Sequence, residues 1–254
     1  MLHIRRQVRQ HAPLSHPMPL ADETPVPNHS ARSRFHSSGK ILKGLVALVL
    51  LFTVASCGRV SEQGKVLRLP LRADDPKSLD PVQGSTVYDN RAVSQVYETL
   101  VQYKYLVRPP ELEPLLLAEM PTVSDDGLTY HFKLKPGVFF HDDPCFPGGK
   151  GRELVADDVF YSWKRMADNG NDPKSWWLLE NTIQGFDEYR TRQNAAEEFD
   201  YDAPVKGFEK INDHEFRVHL KEPVQRFMWV LAMFQMSIVP REAVEEYGTR
   251  FGRH

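Results

Sequence analysis

The strongest patterning in this 254-residue chain follows a turn at Ser124-Asp125-Asp126-Gly127. After it, Leu128, Tyr130, Phe132 and Leu134 alternate with Thr129, His131, Lys133 and Lys135. Period-two alternation predicts a strand with one buried face. Pro136-Gly137 ends that strand, and an apolar Val138-Phe139-Phe140 follows. A second strand is predicted where Phe216, Val218 and Leu220 alternate with Glu215, Arg217 and His219. Over residues 156–168 the period becomes helical, with Val159, Phe160, Trp163 and Met166 on one face. Asp157 and Asp158 fall in its first turn, where the helix dipole favours acids. Ala92, Val93, Val96, Tyr97, Leu100 and Val101 also recur at helical spacing, predicting a helix from Asn90. Shorter helical pieces are expected at residues 227–234 and after Pro240, and Trp163 and Trp229 are expected in the core. Helices and strands interleave, so the predicted fold class is α/β in the broad sense, mixed α and β.

The segments between these elements read as turns and loops. Residues 66–71 are strand-like, but Pro70 confines them to an edge or a strand end. Leu79-Asp80-Pro81 signals a turn, and residues 108–114 and 142–153 are Pro- and Gly-rich loops.

Composition changes this picture mainly at the N-terminus. Apolar residues make up 41% of the chain, enough for a core, which excludes general disorder. The formal charge of −2 gives no case for a nucleic-acid partner. That mean hides a division, because residues 1–56 hold 7 basic and 2 acidic residues, leaving 25 and 32 from Cys57 onward. Lys40 and Lys43 precede an uncharged apolar run at residues 44–55, 12 residues long. A helix needs about 20 residues to cross a bilayer, so the run reads as the apolar region of a secretory signal. Val54-Ala55-Ser56-Cys57 then resembles a bacterial lipobox, in which Cys57 would be lipidated and begin the mature chain. Residues 1–39 contain five prolines and five of the ten histidines, and are expected to be disordered or to precede the true start. With Cys57 so used, Cys145 has no partner for an intramolecular disulfide.

Catalytic motifs fail on spacing. Gly148-Gly149-Lys150-Gly151 lacks the earlier glycine and the hydroxyl residue of a phosphate loop. His214 and His219 are one residue too far apart for a helical zinc pair, and strand alternation puts them on opposite faces. There is no Gly-x-Ser-x-Gly elbow and no clustered Cys/His set. No enzyme, cofactor or metal is expected. Trp176-Trp177 follows a turn; exposed, the pair would stack on a ligand, and packed, it would join the core.

The order of the motifs resembles the solute-binding proteins of peptide-type ABC importers, the oligopeptide- and dipeptide-binding family 5 of bacterial extracellular solute-binding proteins. The similarity begins at Leu79-Asp80-Pro81 and Val96-Tyr-Glu-Thr-Leu-Val101. Its most specific stretch runs from Leu117-Ala-Glu119 through Ser124-Asp-Asp-Gly-Leu-Thr-Tyr-His-Phe to Gly137-Val-Phe-Phe-His-Asp142. It continues through Val155-Ala-Asp-Asp-Val-Phe-Tyr-Ser-Trp163, Ile183-Gln-Gly185 and Phe216-Arg-Val-His-Leu-Lys-Glu-Pro223. The resemblance implies a periplasmic-binding-protein type II-like, two-lobed cleft, incomplete in this chain, because members of the family are considerably longer. The expected organisation is a head and signal at 1–56, the start of a first lobe at 57–97, an inserted small α+β subdomain at 98–227, and a truncated return at 228–254.

The function implied is binding without chemistry: peptides or a similar small solute are captured outside the cytoplasm and passed to ABC permease subunits with their ATPase. The membrane surface would be reached through lipidated Cys57, in the periplasm or cell envelope. Gln83, Gly84, Ser85 and Thr86 occupy a loop that approaches the cleft in relatives, and with Trp176 and Trp177 they are the candidate ligand-lining residues. A lipid-tethered structural or interaction module, or a non-functional truncated receptor fragment, is the alternative reading.

Overall fold

The computed structural model describes residues 76–253; the predicted leader, Cys57 and the strand at residues 66–71 lie outside the described residues. A small hairpin comes first among the strands, β1 (Val101–Tyr103) pairing antiparallel with β2 (Leu112–Pro114). The main sheet contains β3 (Thr122–Val123), β4 (Thr129–Lys133), β5 (Phe208–Lys210) and β6 (Glu215–His219). Its order is β3-β4-β6-β5, with every neighbouring pair antiparallel.

Alternation produces the expected division of faces. Tyr130 lies opposite Val218 and Phe132 opposite Phe216, all four buried. The Phe132 and Phe216 rings stack at 4.9 Å between centroids. Fully burying an aromatic of this size stabilises the fold by about 1.5–3 kcal/mol. The other face carries polar cross-strand contacts: His219 bridges Thr129 Oγ1 at 3.1 Å and Glu209 Oε2 at 2.9 Å. Those contacts, and the His214 bond to Glu153 at 3.1 Å, put the two histidines against different carboxylates.

Among the described residues, five helices accompany the sheet: α1 (Val87–Val93), α2 (Ala156–Ala167), α3 (Phe186–Asn194), α4 (Phe227–Leu231) and α5 (Arg241–Tyr247). Helix α2 lays Phe160 on the sheet, stacked on Phe208 at 4.7 Å and edge-on to Phe216 at 5.4 Å. Its start is fixed by the Val155 N–H donating to the Asp158 carboxylate at 2.9 Å. Arg152 then clamps Asp158 at 2.6 Å and Glu242 of α5 at 2.5 Å, tying the long loop to two helices. Val159, Trp163 and Met166 are buried as predicted, but so are Lys164 and Arg165 on the opposite side. One apolar core runs from Val82 through the sheet and α2 to Ile238.

The mixed α and β class therefore stands, while several local expectations need correction. The helix expected from Asn90 instead starts after Thr86 and ends at Val93. Leu100 and Val101 are buried outside any helix, Leu100 in a bend and Val101 in β1, and Val96 is half exposed. Their helical spacing is coincidental, since pairing with β2 satisfies the β1 backbone. The Pro-rich segment is a loop only to residue 111, and its last three residues form β2. Trp229 is 38% exposed rather than core, because Phe227, Val230 and Leu231 take the inward positions of the five-residue α4. Its ring rests on Tyr103 at 5.7 Å.

Candidate functional site

The Leu79-Asp80-Pro81 turn is the anchor from which the candidate loop is built. The Asp80 carboxylate accepts the Val82 N–H at 3.1 Å, and its carbonyl accepts the N–H groups of Gln83 and Gly84, each at 3.1 Å. Arg165 of α2 grips both carboxylate oxygens, at 3.0 and 2.7 Å, and both side chains are almost wholly buried. The guanidinium lies over the Phe251 ring at 5.2 Å. Burial opposes the Arg165 charge, yet the Asp80 hydrogen bonds and charge outweigh it and hold the guanidinium pKa above its ordinary value. Nearby, burial and then the Asp80 charge push Tyr97 up to about 12. Residue 252 closes this layer, its carbonyl accepting the Leu79 N–H at 2.7 Å. It must be glycine, because φ is +77° and a Cβ there would sit 2.3 Å from Asp80 N.

The loop of Gln83, Gly84, Ser85 and Thr86 leaves this anchor and ends as the cap of α1. Thr86 Oγ1 accepts the Asp89 N–H at 3.1 Å, and the Asp89 carboxylate accepts the Thr86 N–H at 2.9 Å, a reciprocal capping box. Asp89 also accepts the N–H groups of Ser85 at 3.0 Å and Lys77 at 2.8 Å. Burial alone would raise the Asp89 pKa, but these backbone donors outweigh it and hold the carboxyl below 3.8.

Two distant segments are drawn against this loop. Gln83 Nε2 donates to Asn171 O at 3.2 Å, and Lys174 N donates to Val82 O at 3.2 Å. Gly84 lies so close to the 3-10 turn Phe234–Met236 that an added Cβ would come within 2.6 Å of Phe234 Cε2. The segments carrying the two candidate sets, residues 82–86 and 171–177, are therefore neighbours in the fold although about 90 positions apart in sequence.

Individual candidates differ in what remains for a ligand. The Gln83 amide is bonded to Asn171, Gly84 is buried, Thr86 is occupied in capping, and the Ser85 side chain is exposed. The tryptophan pair, for which exposure and core packing both stood open, divides between the two, because consecutive residues of a tight turn point to different sides. Trp176 is core, edge-on to Phe186 at 5.2 Å with Arg190 over its ring at 4.6 Å. Trp177 is 53% exposed. Sequence reasoning missed Arg165 and the 234–236 turn; the α2 pattern carries no signal for Arg165, whose partner Asp80 lies 85 positions away.

Among the described residues no group of His, Cys, Asp and Glu is placed to hold a metal ion, and no helix is long and apolar enough to cross a membrane. Lys150 of the rejected phosphate-loop motif is exposed and paired with Asp142 at 2.6 Å. Cys145 is pushed up to about 12 by burial and by Asp143 beside it, so its thiol stays protonated at neutral pH.

Residues 111–253 match the family described as bacterial extracellular solute-binding proteins, family 5 middle. A probable di/tripeptide-binding protein 5 of Pseudomonas aeruginosa is 32% identical over 178 residues, which is 67% of this chain and 30% of that protein. Heme-binding protein A of Haemophilus influenzae is 33% identical over 153 residues, 60% of this chain and 25% of its own. Among solved structures, the periplasmic binding protein DppA of Helicobacter pylori in complex with the peptide STSA matches with a TM-score of 0.51 and 27% identity. That match covers 69% of this chain and 31% of the other. The chain thus spans about a third or less of the length of each relative.

Proposed function

The chain belongs to family 5 of the bacterial extracellular solute-binding proteins, and from that premise we propose that it serves as a solute receptor for an ABC importer. It captures peptides or a similar small solute outside the cytoplasm and delivers them to permease subunits driven by a separate ATPase. It performs no chemistry of its own. Lipid on Cys57 holds it at the membrane surface of the cell envelope. Residues 98–227 act as the small inserted subdomain, and residues 228–254 return toward the first lobe.

The observation that carries this reading is the meeting of residues 82–86 with residues 171–177 and the Phe234–Met236 turn. Three segments distant in sequence meet, one of them carrying the exposed Ser85 side chain and another the exposed Trp177 ring. A hydroxyl that bonds a main chain and a ring that stacks on any side chain give orientation without demanding one sequence. Asp80 and Arg165 hold the loop shape before a solute arrives, so little ordering entropy is lost on binding.

The test is made on protein extracted from its own cell envelope. Its intact mass should exceed that of the unmodified chain starting at Cys57 by the mass of attached lipid. Calorimetric titration with dipeptides and tripeptides should give saturable binding, weakened by Ser85→Ala and Trp177→Ala. A lipid-free mass removes the anchor, and peptides that release no heat and cause no thermal stabilisation remove the receptor role.

A further inference from the structure

Gln235 occupies the middle of the turn beneath the candidate loop, between Phe234, which packs against Gly84, and Met236, which is core. Its residue is more than nine-tenths buried, and its Oε1 has no hydrogen-bond partner among the described residues. Native folds leave few buried polar atoms in that state, because an acceptor stripped of water without a donor costs stability.

Several donors close to it in the chain and in the neighbouring loop are already engaged. The Ser237 hydroxyl donates to Phe234 O at 2.6 Å, and the Met236 N–H donates to Met233 O at 2.8 Å. Above the turn, the Ser85 and Thr86 N–H groups serve Asp89, and the Gln83 amide serves Asn171. The missing donor therefore comes from outside this set.

We propose that Gln235 is a solute-binding residue whose Oε1 accepts a hydrogen bond from an N–H group of the bound solute, a main-chain amide or an ammonium. This rests on the receptor reading above and adds to it a named acceptor and a requirement on ligand chemistry. A solute without an N–H at that point leaves a buried oxygen unpaired, which selects against it by penalty. The same unpaired oxygen makes the empty protein less stable than its packing allows.

Gln235→Met tests both halves, since it keeps side-chain length and removes the amide. The probe is the set of dipeptides built from Ala, Leu, Lys and Glu, titrated into the full chain by thermal shift and calorimetry. The best-binding dipeptide is then compared with its N-methylated form. The expected result is a melting temperature several degrees higher for the empty Met variant. Its affinity for the best dipeptide should fall about tenfold or more. N-methylation at the contacted amide should weaken binding to the wild type and add little further loss in the variant. A dipeptide that binds wild type and variant equally overturns this assignment while leaving the receptor reading in place. A Met variant that melts lower when empty also overturns it, because the amide then serves a structural water. If no dipeptide affects the wild type, the receptor reading fails, and this assignment fails with it.

Discussion

Across β4 and β6, Phe132 and Phe216 stack face to face with no charge involved; around residues 76–89 two buried carboxylates do the corresponding work. Asp80 accepts three side-chain hydrogen bonds, from Val82 and twice from Arg165, and Asp89 accepts three, from Lys77, Ser85 and Thr86. The sheet is held by non-directional burial, which tolerates repacking. The loop layer is held by directed bonds, which fix one backbone shape and fail abruptly when a partner is lost. A solute site needs the second kind of support, because its hydrogen-bonding groups must already stand where the solute will meet them.

Replacing Arg165 with Ala breaks this contrast most severely, since it leaves Asp80 buried and unpaired. It should cost about 3–5 kcal/mol in urea unfolding and abolish solute binding. Phe216→Ala should cost a similar amount, about 3–5 kcal/mol, yet leave solute affinity intact at temperatures where the variant is folded. The pair Asp80→Leu with Arg165→Met sharpens the difference. Matched apolar replacements should recover most of the stability lost by Arg165→Ala. Solute binding should stay weak, because Leu cannot accept the Val82 N–H that shapes the loop.

Asp89 gives a smaller effect with a pH signature. Its folded pKa lies below the ordinary 3.8, so its contribution is fully present above that value and is lost as pH falls through the folded pKa. Asp89→Ala should cost about 1–2 kcal/mol at neutral pH, the usual size of a lost helix cap. The difference from wild type should shrink below pH 4, where wild-type Asp89 also loses its charge. A constant difference across pH 3 to 7 would contradict the charge-based account of the cap. At the bottom of the scale, Lys150→Ala removes an exposed partner of Asp142 and should leave the urea midpoint unchanged.

The same contrast explains what the sequence made legible. Tyr130, Phe132, Phe216 and Val218 announce their burial by alternation, because a strand has period two and one face meets the core. The periodicity of α2 does not announce that Lys164 and Arg165 are buried, since their partners lie elsewhere in the chain. Arg165 bonds Asp80, 85 positions away, and Lys164 bonds the carbonyls of Tyr201 and Ala203. Nothing periodic encodes such pairs. The start of α1 was readable, because Thr86 and Asp89 have capping-box spacing, and that signal outweighs the longer apolar pattern running into β1. The Trp176-Trp177 doublet could not be divided from composition alone; burial of one ring depends on Phe186 and Arg190 in α3.

The most direct test of the loop layer as a solute site is amide hydrogen exchange, read with and without a saturating dipeptide. The account predicts added protection in peptides covering residues 82–86, 171–177 and 233–237, with little change at β4 and β6. Protection confined to the outer face of the sheet, or saturable binding with no change in those three segments, would contradict it.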